Sequence, residues 1–216
     1  MPPKVKICGI RTIESAIAAI NDSADFLGFI HFPKSPRHLT LNAMKNLIRA
    51  IRSVNANIPC VSVVVNPDDS LISDLKNTVK PDLIQLHGKE TPARVAEIAA
   101  LTHLPLIKAI SVSEKSDLDS VSAYEPHVEY MMFDAKPPKD AALPGGLGLS
   151  FDWTIMRHHA AVKPWFLAGG LSSGNVASAV YLSGAPMLDV SSGVESALGV
   201  KDNALISGFL KTAKSL

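Results

Sequence analysis

Eight apolar runs of four to six residues alternate with amphipathic stretches from one end of the chain to the other, and this pattern predicts an α/β protein with a parallel sheet. Two further observations sharpen the prediction to a TIM-type (β/α)8 barrel in a single domain, residues 1–216. The chain has 216 residues, and a barrel of this kind closes with roughly 200. Each unit then has about 27 residues, room for a strand, a helix and two short loops. Counting alone leaves a doubly wound open sheet as the competing arrangement.

The strand candidates begin at Val5 (VKIC), Phe26 (FLGFI), Cys60 (CVSVVV), Leu83 (LIQL), Leu106 (LIKAI), Tyr130 (YMMFD), Trp165 (WFLA) and Met187 (MLDV). Their near-continuous apolar character fits strands covered on both faces. Between them, Ile13, Ala16, Ile17 and Ile20, then Met44, Leu47, Ile48 and Ile51, trace i, i+3, i+4, i+7 stripes that predict helices packed on the sheet. Thr40 predicts the start of the second helix, Thr91-Pro92 the fourth, and Ser172 or Ser173 the seventh. Gly184 suits a C-terminal cap.

A composition of 47% hydrophobic and 19% charged residues supplies a large core. The net charge of +1, without a dense Lys/Arg block, argues against nucleic acid as a partner and for a small molecule. MPPKVKICGIRT leads straight into a strand without a signal-peptide apolar region, and no run of about 18 apolar residues predicts a membrane span. Cys8 and Cys60 make neither a disulfide framework nor a zinc spacing, so a reducing cytoplasm is expected.

In such a barrel the active site lies at the C-terminal ends of the strands, which directs attention to the polar residue after each apolar run. Cys8 closes VKIC beside Gly9, and its alternative reading is a small buried hydrophobe; a thiolate near neutrality would need adjacent positive charge or donors. Asp134 ends an otherwise apolar strand, as a structural anchor or as a carboxyl held at the barrel mouth. Arg37, in FPKSPRHL, has a planar fork suited to bidentate binding of a carboxylate, or is a solvated surface arginine. His87 in LIQLHG either contacts substrate or satisfies a strand-end hydrogen bond.

LAGGLSSGNV after the seventh strand and DVSSGVE after the eighth present small residues and free backbone N–H groups, where this fold often holds a phosphate. They contribute Gly169, Gly170, Asp189, Ser191, Ser192 and Gly193. Residues 135–150 are too rich in Pro and Gly for a helix and directly follow Asp134, which reads as a loop of the site or as a variable surface loop. His158 and His159 fall on an expected outer helix, and no metal site is expected.

Taken in order, VKICGIRT, GFIHFPKSPRHL, VVVNP, DLIQLHG, IKAI, MMFDAKPP with PGGLGLSFDW, FLAGGLSSGNV, and DVSSGVE with GVKD resemble phosphoribosylanthranilate isomerases from residue 5 to about residue 202. The resemblance implies a cofactor-free Amadori rearrangement of N-(5-phosphoribosyl)anthranilate, with Asp134 as general acid and Cys8 as general base. It further implies that Arg37 binds the anthranilate carboxylate and that the backbone around Gly169, Gly170, Ser192 and Gly193 holds the phosphate. His87 and Asp189 are implied as further substrate contacts, and a monomer as the default state.

One departure is visible. Many members carry GGTG and a basic residue before FDW where this chain has GGLGLSFDW, which puts side-chain contacts from Leu147 or Leu149 in doubt. Lys136 and Lys139 could supply the positive charge instead. The alternatives are another sugar-phosphate barrel isomerase or epimerase, or a non-catalytic sugar-phosphate-binding barrel. An epimerase would set metal-ligating His and Asp on several strand ends, and a barrel that had lost turnover would be expected to lose Cys8 or Asp134.

Overall fold

The computed structural model describes residues 1–138, 141, 145–159 and 162–216, with nothing to be said of the His158 side chain. Eight parallel strands close into a barrel in sequence order. They are β1 (Lys4–Cys8), β2 (Phe26–His31), β3 (Cys60–Val64), β4 (Leu83–Leu86), β5 (Leu106–Val112), β6 (Tyr130–Ala135), β7 (Trp165–Leu167) and β8 (Met187–Val190). Closure is completed by β1 pairing with β8, with Lys6 opposite Asp189 and Ile7 opposite Val190. The open-sheet alternative is thereby excluded.

Strand alternation divides the apolar residues into two cores. Phe26, Val61, Leu83, Ile107, Ala109, Met132, Phe166, Ala168 and Met187 fill the barrel interior, where Phe26 meets Phe166 and Tyr130 edge-on. A larger core lies between the outer face of the barrel and the helices, and includes Val5, Ile7, Leu27, Phe29, Met44 and Ile48. The lower barrel is therefore plugged by side chains, and its polar residues collect above the plug.

The helices are α1 (Ile13–Asn21), α2 (Leu41–Val54), α3 (Asp69–Asp74), α4 (Pro92–Thr102), α5 (Val176–Ser183) and α6 (Asn203–Lys214). Thr40 and Thr91 cap α2 and α4 as expected, their hydroxyls accepting from the N–H groups of Ala43 and Arg94. In α2 the expected stripe buries Met44, Ile48 and Ile51. In α1 the fully buried positions are Ser15, Ala16 and Ala19, and the isoleucines flank them. Gly184 ends α5 in the left-handed conformation.

Three expectations need correction. α5 begins after Asn175, not at Ser172 or Ser173: Asn175 turns its side chain back, accepting from Ser172 N–H and donating to the Gly170 carbonyl, which shapes the preceding loop. After β5 the chain makes three short 3-10 turns, Lys115–Leu118, Val121–Ala123 and Glu125–His127, in place of a full helix. His158 and His159 belong to, and follow, a 3-10 segment, Trp153–His158.

Two short strands, β9 (Glu195–Ala197) and β10 (Val200–Lys201), form a hairpin after β8, beyond the regular unit. No helix among the described residues is long and apolar enough to cross a membrane.

Candidate active site

At the C-terminal mouth of the barrel one pocket is lined by Cys8 from β1, Arg37 from the loop after β2, Gln85 and His87 around the end of β4, and Asp134 from β6. Gly169 and Gly170 after β7, and Asp189, Ser191 and Ser192 at the end of β8, complete its polar lining. Of the strand-end and loop residues the sequence singles out for catalysis or substrate binding, Gly193 is outside this lining. Its part is structural: a Cβ at Gly193 would overlap the Leu171 carbonyl oxygen, so glycine lets the loops after β7 and β8 touch. No hydrogen bond among the described residues takes up the backbone N–H of Gly169, Gly170, Ser192 or Gly193. The N–H groups of Gly169, Gly170 and Ser192 belong to pocket-lining residues and suit an anion.

Asp134 is 6% exposed, and both of its oxygens are engaged. Oδ1 accepts from the Ala135 N–H at 2.8 Å, and Oδ2 lies 3.2 Å from His87 Nε2. His87 is held in turn by Gln85, whose Nε2 is 2.8 Å from His87 Nδ1. An amide N–H donating to Nδ1 leaves the ring proton on Nε2, where it faces Asp134. His87 therefore makes a strand-end hydrogen bond and also lines the pocket. Gly145 closes over this pair, since a side chain there would lie 2.5 Å from Asp134 Oδ2 and 2.6 Å from His87 Nε2.

Arg37 is not a surface arginine; it is 2% exposed. Its side-on edge is already used: Nε donates to Glu195 Oε1 at 2.7 Å and Nη2 to Glu195 Oε2 at 2.9 Å. The carboxylate that this edge of the fork binds bidentately is Glu195 of the chain itself. What remains toward the pocket is the Nη1 end, beside Gly146. Lys201 Nζ joins the network, 2.7 Å from Glu195 Oε1 and 2.8 Å from the Ser191 carbonyl. Burial alone would raise the Glu195 carboxyl, but Arg37, Lys201 and the Gly199 N–H outweigh it and hold it down to about 2.

Cys8 is 4% exposed. Burial pushes its thiol up, Lys6 draws it down, Asp189 pushes it up again and Lys201 draws it down; the balance stays above the ordinary thiol value. The positive charge that a thiolate needs is thus present, opposed by burial and by a carboxylate. Asp189 is itself bound, its Oδ1 2.7 Å from Lys6 Nζ.

The loop after β6 contributes residues 145–149 to the pocket, with Leu147 and Leu149 each 42% exposed at its mouth. Lys136 points elsewhere, to Asp117 at 2.8 Å, and does not line the pocket. Lys139 lies outside the described residues. No group of three or more metal-ligating side chains occurs among the described residues.

Lys6, Gln85, Glu195 and Lys201 carry much of the site's electrostatics and were not singled out from the sequence. A charged residue alternating with Val5 and Ile7 inside an apolar strand was the one available signal for Lys6.

A closed parallel barrel with an acid–histidine pair, a cysteine and two small-residue loops at its C-terminal mouth defines the class: a (β/α)8-barrel enzyme with a site suited to proton transfer on an anionic substrate. The model of the family N-(5'phosphoribosyl)anthranilate (PRA) isomerase matches residues 5–212. The N-(5'-phosphoribosyl)anthranilate isomerase of Caulobacter sp. (strain K31) is 48% identical over 211 residues, covering 98% of each chain. The crystal structure of phosphoribosyl anthranilate isomerase from Thermotoga maritima superimposes with a TM-score of 0.87 at 32% identity, covering 99% of this chain and 100% of that one. A structure of phosphoribosyl anthranilate isomerase in complex with reduced 1-(o-carboxyphenylamino)-1-deoxyribulose 5-phosphate matches with a TM-score of 0.83 at 31% identity, with the same coverage. The chain belongs to the phosphoribosylanthranilate isomerase family, a family of isomerases.

Proposed function

We propose that this protein catalyses the Amadori rearrangement of N-(5-phosphoribosyl)anthranilate to 1-(2-carboxyphenylamino)-1-deoxyribulose 5-phosphate in tryptophan biosynthesis, with Asp134 as general acid and Cys8 as general base. The observation that carries the assignment of roles is that both groups line one pocket from nearly opposite strands, β1 and β6, beside a patch of free N–H groups after β7 and β8.

In this reading the phosphate sits against the backbone of Gly169, Gly170 and Ser192, with Gly193 allowing the two loops to meet. The Nη1 end of Arg37 takes the anthranilate carboxylate while Glu195 fixes the guanidinium plane. Asp134, oriented by His87, protonates the ribose ring oxygen, and the C1–O bond breaks to give a Schiff base. Cys8 as thiolate removes the proton from C2 of the sugar, and those electrons pass to the iminium nitrogen to give an enolamine. Tautomerisation of the enolamine then gives the ketone. Each proton transfer contributes on the order of 10²- to 10⁴-fold. Asp189 and Ser191 complete the sugar side of the pocket.

We take the monomer as the working state, and sedimentation at assay concentration tests it. A cytoplasmic location follows from the proposed pathway and from the two free thiols, and cell fractionation checks it.

The test of the reaction is to generate phosphoribosylanthranilate in situ, add the purified protein with a chelator, and follow loss of substrate fluorescence. Wild type is expected to consume it. Asp134→Asn is expected to bind the reduced product analogue without turnover, and Arg37→Ala to raise KM more than it lowers kcat. A folded wild type that leaves phosphoribosylanthranilate untouched would contradict the proposal.

A further inference from the structure

Beneath the mouth of the barrel lies a fully buried lysine that the proposed acid–base steps do not use. Lys6 is 0% exposed and shares the inner face of β1 with Cys8, two residues on. Its Nζ is 2.7 Å from Asp189 Oδ1 across the β1–β8 seam, where the two residues are in register. The opposite neighbour, β2, has a glycine, Gly28, in register with Cys8. A Cβ on Gly28 would lie 2.8 Å from Cys8 Sγ and 3.0 Å from Lys6 Nζ, so both atoms crowd into the space that a side chain would fill. A buried ammonium of this kind is stable only beside compensating negative charge.

Asp189 supplies one such charge, and the Cys8 thiolate is placed to supply another. The remaining charged group acting on Cys8 is Lys201 from β10, which is itself neutralised by Glu195.

We propose that Lys6 is a positioning residue of the active site: its ammonium, bracketed by Asp189 and Cys8 over Gly28, stabilises negative charge on the Cys8 sulfur and so prepares it to take the C2 proton. This rests on the reading of Cys8 as the base. The buried lysine also gives Asp189 a reason to be a carboxylate independent of any contact with substrate. In the resting site Lys6 has one fixed anion, and on ionisation of Cys8 it gains a second. The direction of its own shift agrees: burial works against the ammonium, but Asp189 and then Cys8 outweigh it and raise Lys6 above its ordinary value.

The experiment is alkylation of the full-length protein by iodoacetamide as a function of pH, reading the Cys8 peptide by mass spectrometry so that Cys60 is scored separately. Lys6→Met is expected to move the Cys8 midpoint up by one pH unit or more, cutting the rate of alkylation at neutral pH by roughly tenfold. It is also expected to lower kcat by about 10- to 100-fold, with a smaller change in KM and the same upward displacement of the pH–rate profile.

Because Lys6→Met strands the Asp189 carboxylate and can unfold the chain, the comparison is repeated in an Asp189→Asn background, where no carboxylate is left unpaired. There too, adding Lys6→Met is expected to raise the alkylation midpoint. A midpoint that does not move in either background overturns the role of Lys6. A midpoint that moves while the pH–rate profile of Lys6→Met stays with wild type overturns Cys8 as the base, and with it the catalytic meaning of Lys6.

Discussion

Lys6 and Lys108 are two buried strand lysines, each 2.7 Å from a carboxylate, yet they serve opposite faces of the same barrel. Lys6 alternates into the interior, beside Cys8. Lys108, flanked by the interior residues Ile107 and Ala109, turns to the outer face. There it meets Glu90, donates to the Gly88 carbonyl at 2.8 Å and lies 5.7 Å from the Tyr124 ring centre. Burial pushes Lys108 below its ordinary value despite Glu90, whereas Lys6, beside Asp189 and the Cys8 sulfur, is raised. The same ion pair is thus a clamp on one face and part of the reacting site's charge balance on the other. Interior changes that strand no buried charge should alter chemistry at nearly constant stability, and exterior changes the reverse.

The largest effect expected is on the interior face. Asp134→Asn removes an acid without changing shape and should lower kcat by at least 10²- to 10⁴-fold, with a melting temperature close to wild type. A loss of activity that only tracks unfolding would erase the distinction between the faces.

Outside the barrel, Lys108→Met leaves the buried Glu90 without its ammonium partner, held only by the Asn66 and Gly88 N–H groups, and should cost about 3–5 kcal/mol in urea unfolding. Because Lys108 also fixes the carbonyls on either side of His87, kcat of the folded fraction should fall, but by less than about tenfold, and its pH profile should not move. A displaced profile would show that the two lysines are not different in kind.

The Arg37–Glu195–Lys201 network lies between these cases. A carboxyl held at about 2 in the fold stabilises the protein fully above the ordinary carboxylate range, near 4.5, and that stability disappears as pH falls through about 2. The wild-type advantage over Glu195→Gln should therefore shrink by up to about 3 kcal/mol over that window, measured by acid titration of unfolding. A constant difference would mean that Glu195 is not held ionised by its partners.

The smallest effect expected is a change in pH dependence. Asp189 opposes the Cys8 thiolate, so Asp189→Asn should move the Cys8 alkylation midpoint down, opposite to Lys6→Met, by about one unit or less. A shift in the same direction as Lys6→Met would break the assignment of Asp189 and Lys6 to opposing roles.

The barrel was legible because strands covered on both faces leave unbroken apolar runs, and all eight observed strands start at or within one residue of those runs. The segment after β5 was less so: Asp117 accepts from Ser113 and Glu114 N–H groups, a local alternative to helical bonding, and Pro126 limits any continuation. Cys8 and Asp134 could be picked out from their positions at strand ends, and Arg37 and His87 from theirs in the loops that follow. Lys6 could not be assigned, because its partner is 183 residues away and only barrel closure brings them together. Glu195 and Lys201 stand on a hairpin beyond the regular βα unit, so no strand-end rule points to them. The engagement of Arg37 by Glu195 is a long-range contact that local sequence does not carry.

The most direct test of the central claim is to mix phosphoribosylanthranilate with folded wild type and with folded Cys8→Ala, and to measure turnover and binding of the reduced product analogue for both. The account predicts rapid loss of substrate with wild type, and none above background with Cys8→Ala, which still binds the analogue. Turnover by Cys8→Ala at the wild-type kcat would contradict it.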